Sequence, residues 1–261
     1  MEISMDYGLI GEKLGHSYSK EIHEQLANYT YELHPLSREE FSDFMQKRAF
    51  KAINVTIPYK QDVIPYLDVI DDQAKAIGAV NTIVHRNGRL EGHNTDFAGF
   101  MYMLKKNKMN ISGKKCLVLG NGGAAKAVVA VLHAMKAAQV LVVSRRQSSE
   151  TITYDECLAH HTDAGFIVNT TPVGMYPNMD ASPLDLTPFS QCDAVADVIY
   201  NPLETRFTQQ AKELGIKAVT GLEMLIAQAL YAVEYFLDTT LDTAQIDRIY
   251  QQMVQHLTEN N

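Results

Sequence analysis

The stretch Lys115-Cys116-Leu117-Val118-Leu119-Gly120-Asn121-Gly122-Gly123-Ala124-Ala125-Lys126 decides how the 261-residue chain is read. Its first five residues read as a short buried strand, and the glycines turn that strand into a helix rich in alanine and valine. Glycine at such a junction lets the backbone come close to a pyrophosphate, whose charge the free amides at the helix N-terminus stabilise. The spacing departs from G-x-G-x-x-G, because Ala125 stands at the third small position and an extra glycine is at 123. A tight strand-to-helix turn with no ligand has the same local pattern, so the loop by itself does not say what it holds.

The next strand sharpens the reading. Val140–Val143 ends at Ser144-Arg145-Arg146, where a chain that binds NAD places an acidic group on the ribose 2′-hydroxyl. No carboxylate follows until Glu150. Two guanidinium groups suit a 2′-phosphate instead, and NADP(H) is the expected cofactor; the competing reading is a solvated turn carrying two arginines. Outward from here, short β-branched runs alternate with helical patterns. Strands are expected at Tyr7–Ile10, Tyr29–Leu33, Ala52–Thr56, Cys116–Leu119, Val140–Val143, Phe166–Val168 and Ala194–Val198. Helices are expected at Ser37–Gln46, Ala124–Lys136 and Thr205–Leu214, among others. Such alternation favours parallel sheets covered by helices on both faces. Val80–Val84 and Leu90–His93, joined through Asn87-Gly88, read as an antiparallel hairpin added to this scheme. A domain boundary is expected near residues 97–113, where a helix runs out into Lys105-Lys106-Asn107-Lys108. Gly221–Leu237 is apolar on nearly every face and is expected to be buried, and Thr243–Leu257 reads as an amphipathic helix.

Composition narrows the function classes. The 31 acidic residues outnumber the 23 basic ones, for a formal charge of −8, which argues against a nucleic-acid partner. No apolar run reaches the roughly 20 residues that span a bilayer, so no membrane role is expected. Glu2 and Asp6 stand where a secretory leader would be basic. Three cysteines, at 116, 157 and 192, are too few and too scattered for a disulfide framework or a zinc site. The chain therefore reads as a cytoplasmic α/β enzyme without a metal.

The first half carries polar clusters with more than one meaning. Ser17 and Ser19 could offer two hydroxyls to one anion or simply cap a helix. His16 either lines the same pocket or is structural. In Asn54-Val55-Thr56-Ile57-Pro58-Tyr59-Lys60, Pro58 fits the first position of a helix, which would put Lys60 in its first turn. A lysine there is either exposed or kept for chemistry. Asn94-Thr95-Asp96 is equally ordinary capping chemistry or part of a site.

Taken together these segments resemble the shikimate dehydrogenase family over essentially the whole chain. The matching pieces are Ser17-Tyr18-Ser19 with Ile22-His23, Asn54 through Lys60, Gly78-Ala79-Val80-Asn81-Thr82, and Asn94-Thr95-Asp96. To these are added the Gly120–Ala124 loop, Asn169 through Met175, Asp197 through Pro202, and Gly221-Leu222-Glu223-Met224-Leu225 with Gln228. The resemblance implies reversible reduction of 3-dehydroshikimate to shikimate by NADPH, on the route to aromatic amino acids. It implies that Ser17 and Ser19 bind the substrate carboxylate, that Thr56, Asn81, Tyr200 and Gln228 surround the ring, and that Lys60 and Asp96 form the catalytic pair. Gly120, Asn121, Gly122, Gly123 and Ala124 would hold the pyrophosphate, with Ser144, Arg145 and Arg146 on the adenosine phosphate. Val198 and Gly221 would face the nicotinamide, and Asp72 would either border it or cap a helix.

The implied architecture is α/β in two domains. Residues 1–97 with 224–261 would form a substrate domain with a mostly parallel sheet, and residues 98–223 a Rossmann-like NADP-binding domain, with the active site in the cleft between them. The molecule would be a monomer or homodimer. Lys20, Lys126, Ser144 and His93 depart from the family pattern, and none of them removes a catalytic group. A relative acting on quinate is the nearest rival, but Ser19 is not the bulkier threonine that quinate would suggest. A non-catalytic NADP-binding regulator would lack Lys60 or Asp96, and both are present.

Overall fold

Asn87 and Gly88 adopt positive φ of 53° and 75°, the turn that matches the twist of two antiparallel strands, and the expected hairpin closes there. The computed structural model describes residues 5–15 and 17–259. His16 therefore lies outside the described residues. By internal contacts the chain divides into two units, Met1–Gly99 with Ile226–Ile249 and Phe100–Leu225 with Tyr250–Asn261.

The first unit runs β1 (Tyr7–Gly11), α1 (Ser19–Leu26), β2 (Tyr31–Pro35), α2 (Arg38–Lys47), β3 (Ala52–Val55), β4 (Val69–Ile70), α3 (Asp72–Ile77), β5 (Thr82–Arg86) and β6 (Arg89–His93). Its sheet has the order β2-β1-β3-β5-β6-β4. β1 pairs in parallel with β2 and β3, and β4 with β6, while β5 lies antiparallel to both of its neighbours. Ser37 starts α2 through a reciprocal capping box with Glu40, which ends the preceding loop cleanly. Ile10, Ile53 and Val55 from the sheet pack with Phe41, Met45 and Tyr59 in one apolar core.

α4 (Thr95–Lys106) begins in this unit and carries the chain into the second. There follow β7 (Lys115–Leu119), α5 (Gly123–Ala134), β8 (Gln139–Val143), β9 (Thr151–Ile152), α6 (Tyr154–His160), β10 (Phe166–Asn169), β11 (Ala194–Asp197), α7 (Arg206–Glu213) and β12 (Lys217–Val219). α8 (Leu222–Leu237) and α9 (Ala244–Glu259) end the chain. The second sheet is wholly parallel, in the order β12-β11-β10-β7-β8-β9. Its strand order reverses between β7 and β10, the doubly wound arrangement in which ligands bind beyond the C-terminal strand ends. β10 and β11 are buried along their whole length, as strands covered on both faces must be.

One expectation needs correction. Residues 57–63 form a run of turns followed by a short 3₁₀ stretch, Ile64–Tyr66, so Pro58 opens no α-helix and Lys60 sits in no first turn. The reason is local: the Lys60 carbonyl accepts from the Val80 amide at 2.8 Å, and the Tyr59 hydroxyl is drawn inward to the Leu36 carbonyl at 2.7 Å. The end of α9 from Tyr250 groups with the second unit, where Tyr250 shares a 220 Å³ pocket with Asn107, Thr220 and Glu223.

Candidate active site

The register of the first sheet brings together residues far apart in sequence. Because β5 runs antiparallel between β3 and β6, Asn54 pairs with Thr82 and Thr82 with His93, so the end of β3, the start of β5 and the end of β6 share one edge. The segments leaving that edge carry Lys60, Asn81 and Asp96. Lys60 Nζ lies 2.6 Å from Asp96 Oδ2, with the two side chains only 14% and 7% exposed. Such a charge-assisted bond, shielded from water, fixes both partners. Asn81 Nδ2 donates to Asp96 Oδ1 and to Thr95 Oγ1, each at 3.0 Å, and its Oδ1 accepts the Thr95 amide at 2.7 Å. Expected at the substrate ring, Asn81 thus holds the carboxylate that holds the lysine.

Behind this pair runs a buried chain that sequence reading did not single out. The Tyr31 hydroxyl donates to Asn54 Oδ1 at 2.7 Å, Asn54 Nδ2 donates to Thr82 Oγ1 at 3.1 Å, and Thr82 Oγ1 donates to Asn81 Oδ1 at 3.1 Å. Burial holds the Tyr31 phenol well above its ordinary range, so it remains a donor. Polar residues inside otherwise buried strands were the available signal, since such groups stay only where they are paired.

The remaining candidates of the first unit lie on other segments. Ser17 Oγ donates to Ser19 Oγ at 3.1 Å and accepts the Ser19 amide at 3.3 Å, at the start of α1. The N-cap of α1 is Tyr18, whose side chain makes no capping bond. Lys20 reaches the Tyr31 carbonyl at 2.9 Å and Glu24 at 3.0 Å. The Thr56 amide donates to the Ile10 carbonyl at 2.9 Å, which pins the residue beside β1. Asp71 caps α3 through the Ala74 amide at 2.6 Å, leaving Asp72 exposed in that helix's first turn. His93, one of the departures, bonds to Asp71 at 2.7 Å and stacks on Tyr235 with centroids 3.9 Å apart. Gln228 is half-buried in the part of α8 that belongs to this unit.

In the second unit the glycine loop leaves β7 at the reversal of strand order. Gly120 has φ +103°, and a Cβ there would stand 2.8 Å from Thr170 Oγ1. Gly122, the N-cap of α5, has open space where a Cβ would be and no side-chain cap, so the helix amides keep their donors. Asn121 is exposed beside them, and Gly123 and Ala124 open the helix. Ser144 leaves β8, its amide bonded to the Ile152 carbonyl at 2.9 Å. Arg145 and Arg146 are exposed and have no carboxylate partner among the described residues. Val198 follows β11, and Gly221 packs against it so closely that a Cβ would lie 2.1 Å from the Val198 carbonyl oxygen. Tyr200 is half-buried two residues on. An uncapped helix start, a glycine cradle and two unpaired guanidiniums suit a phosphorylated dinucleotide such as NADP. Among the described residues no cluster of histidine, cysteine or carboxylates could hold a metal, and no helix is long and apolar enough to cross a membrane.

Residues 9–83 fit the profile of the shikimate dehydrogenase substrate binding domain. A shikimate dehydrogenase (NADP(+)) of Clostridium beijerinckii is 40% identical, over 94% of this chain and 96% of that protein. The chain belongs to the shikimate dehydrogenase family. Among solved structures, shikimate dehydrogenase 1 from Peptoclostridium difficile superposes with a TM-score of 0.89 at 35% identity, covering 98% of this chain and 99% of that one. The Thermus thermophilus shikimate 5-dehydrogenase, solved in complex with NADP(H) and shikimate, gives 0.85 at 31% identity, covering 95% and 99%. Within this chain the matched profile lies in the unit that holds the Lys60–Asp96 pair.

Proposed function

We propose that the chain reduces 3-dehydroshikimate reversibly to shikimate with NADPH, the first unit supplying the acid–base pair and most of the substrate contacts and the second holding the cofactor. The observation that carries this reading is the shielded Lys60–Asp96 contact at 2.6 Å, braced by Asn81. As negative charge builds on the ketone oxygen, the Lys60 ammonium stabilises it and donates a proton; Asp96 fixes the ammonium in place. In the reverse direction the Lys60 amine takes the hydroxyl proton. A positioned acid–base group of this kind contributes about 10²–10⁴-fold. Ser17 and Ser19 offer two neighbouring hydroxyls to the substrate carboxylate, and Thr56, Asn81, Tyr200 and Gln228 surround the ring and its hydroxyls.

NADP(H), when bound, supplies or accepts the hydride. Gly120, Asn121, Gly122, Gly123 and Ala124 let its pyrophosphate reach the α5 amides. Ser144, Arg145 and Arg146 would take the 2′-phosphate, and Val198, Gly221 and Asp72 would serve the nicotinamide. The enzyme works in the cytoplasm as a monomer or homodimer. The test is oxidation of shikimate or quinate, each with NADP⁺ and NAD⁺, followed at the nicotinamide absorbance. Shikimate with NADP⁺ should be the fastest pair; a preference for quinate or for NAD⁺ would contradict the reading.

A further inference from the structure

Asp197 is an unusual residue for the end of a core strand. It is fully buried, and no cation pairs with it among the described residues. A carboxylate buried without a counter-charge is costly, and a neutral residue would close the same strand more cheaply. Burial pushes its pKa up to about 6, against hydrogen bonds from the Ile199 amide, Thr205 and Asn169 that favour the charged form.

Those hydrogen bonds show what the carboxylate holds. Oδ1 accepts the Ile199 amide at 3.0 Å and Asn169 Nδ2 at 3.1 Å, and Oδ2 accepts the Thr205 hydroxyl at 2.8 Å. The three donors come from three segments leaving the C-terminal edge of the parallel sheet: the loop after β11, the end of β10, and the N-cap of α7. The Ile199 peptide is gripped on both sides, its amide by Asp197 and its carbonyl by the Gly221 amide at 2.9 Å. Val198 is fixed in turn by its amide to the Asn169 carbonyl at 3.0 Å. Asn169 is itself locked, because its Oδ1 accepts both the amide and the hydroxyl of Thr171.

We infer that Asp197 is a positioning residue for the reaction: through the Ile199 peptide and Thr205 it sets the Val198–Tyr200 loop against Gly221, and so places the residues that face the nicotinamide and the substrate ring. This inference rests on the proposed function. Asp197 itself touches neither ligand; it fixes the backbone from which Val198 and Tyr200 project.

The test compares Asp197→Asn, Thr205→Val and Thr205→Ser with the wild type in the full chain. Amide exchange at Ile199, NADP⁺ affinity by calorimetry, thermal unfolding, and kcat and KM for shikimate are all measured. Asp197→Asn and Thr205→Val should speed Ile199 exchange by about tenfold or more. In both, kcat should fall by about tenfold or more while NADP⁺ affinity, anchored at the phosphates, moves by less than about threefold. Thr205→Ser keeps the hydroxyl and should restore kcat and exchange protection. Either variant keeping wild-type kcat with only a lower unfolding temperature would overturn the inference, as would Thr205→Ser failing together with Thr205→Val. Should Asp197→Asn not fold, the Thr205 pair decides the matter. A wild type inactive on shikimate would overturn the functional reading instead, and the Ile199 exchange and NADP⁺ affinities would still judge the loop anchor.

Discussion

Arg145 and Lys60 are opposite cases of a charged side chain. Arg145 is exposed just after β8 with no carboxylate partner among the described residues, so its charge is open to a ligand phosphate. Replacing it with aspartate removes a charge-assisted contact and adds a like charge. Such bonds are worth about 1.5–3 kcal/mol, so NADP⁺ kcat/KM should fall by at least ~10-fold. NAD⁺ efficiency should change less or rise, because a carboxylate there can accept a ribose hydroxyl. Equal loss of both cofactors, measured as kcat/KM at fixed shikimate, would make Arg145 a surface residue only. Lys60, by contrast, is shielded and committed to Asp96. The sequence made both residues visible as candidates. It could not show that Lys60 and Asp96, 36 positions apart, meet at 2.6 Å, because that depends on the register of β5 between β3 and β6. Asp197 was less legible still: an aspartate at a strand end reads as turn chemistry until its burial is seen.

Among elements, the β7–α5 turn was readable because glycine chemistry is local, and the hairpin was readable from Asn87-Gly88. β4, β9 and β12, of two or three residues each, are too short to show an alternating pattern. The turns at 57–63 read as a helix because Pro58 suits a helix start, and the long-range bonds of the Lys60 carbonyl to Val80 and of the Tyr59 hydroxyl to Leu36 are not visible in the local sequence. Two glycines separate packing from binding at this scale. Gly221→Ala drives a Cβ to within 2.1 Å of the Val198 carbonyl oxygen. Overpacking of that kind costs about 1–3 kcal/mol and should lower the unfolding temperature by several degrees. Gly122→Ala points into open space. Calorimetry should find its stability near that of the wild type but its NADP⁺ affinity lower by about tenfold or more, since the backbone would no longer approach the pyrophosphate. An unchanged affinity in Gly122→Ala would detach this turn from the cofactor.

For the molecule as a whole, stability against pH should carry two opposed contributions. His23 stacks on Tyr31 at 4.0 Å and bonds through Nδ1 to the Tyr29 hydroxyl at 2.8 Å, while Nε2 is buried without a partner. Burial lowers its pKa from 6.5 to about 3. Between those values the unfolded chain binds the proton and the folded one does not, so this contribution is complete above 6.5 and is lost as pH falls. Asp197 has the reverse sign. Its pKa rises from 3.8 to about 6, so the folded chain keeps a proton that the unfolded chain has released, and stability falls as pH rises through that window. A tenfold difference in proton affinity between the folded and unfolded chain is worth about 1.4 kcal/mol. Thermal unfolding between about pH 4 and 6 should therefore rise more steeply with pH in Asp197→Asn than in the wild type, and less steeply in His23→Phe. Parallel curves for all three proteins would refute both assignments. Lys60→Ala tests the acid–base role of Lys60 most directly, by steady-state kcat set beside the shikimate dissociation constant from calorimetry. The expected result is a fall in kcat of about 10²–10⁴-fold with much smaller loss of shikimate binding, because the other substrate contacts remain. A Lys60→Ala enzyme turning over shikimate at nearly the wild-type rate would contradict the account.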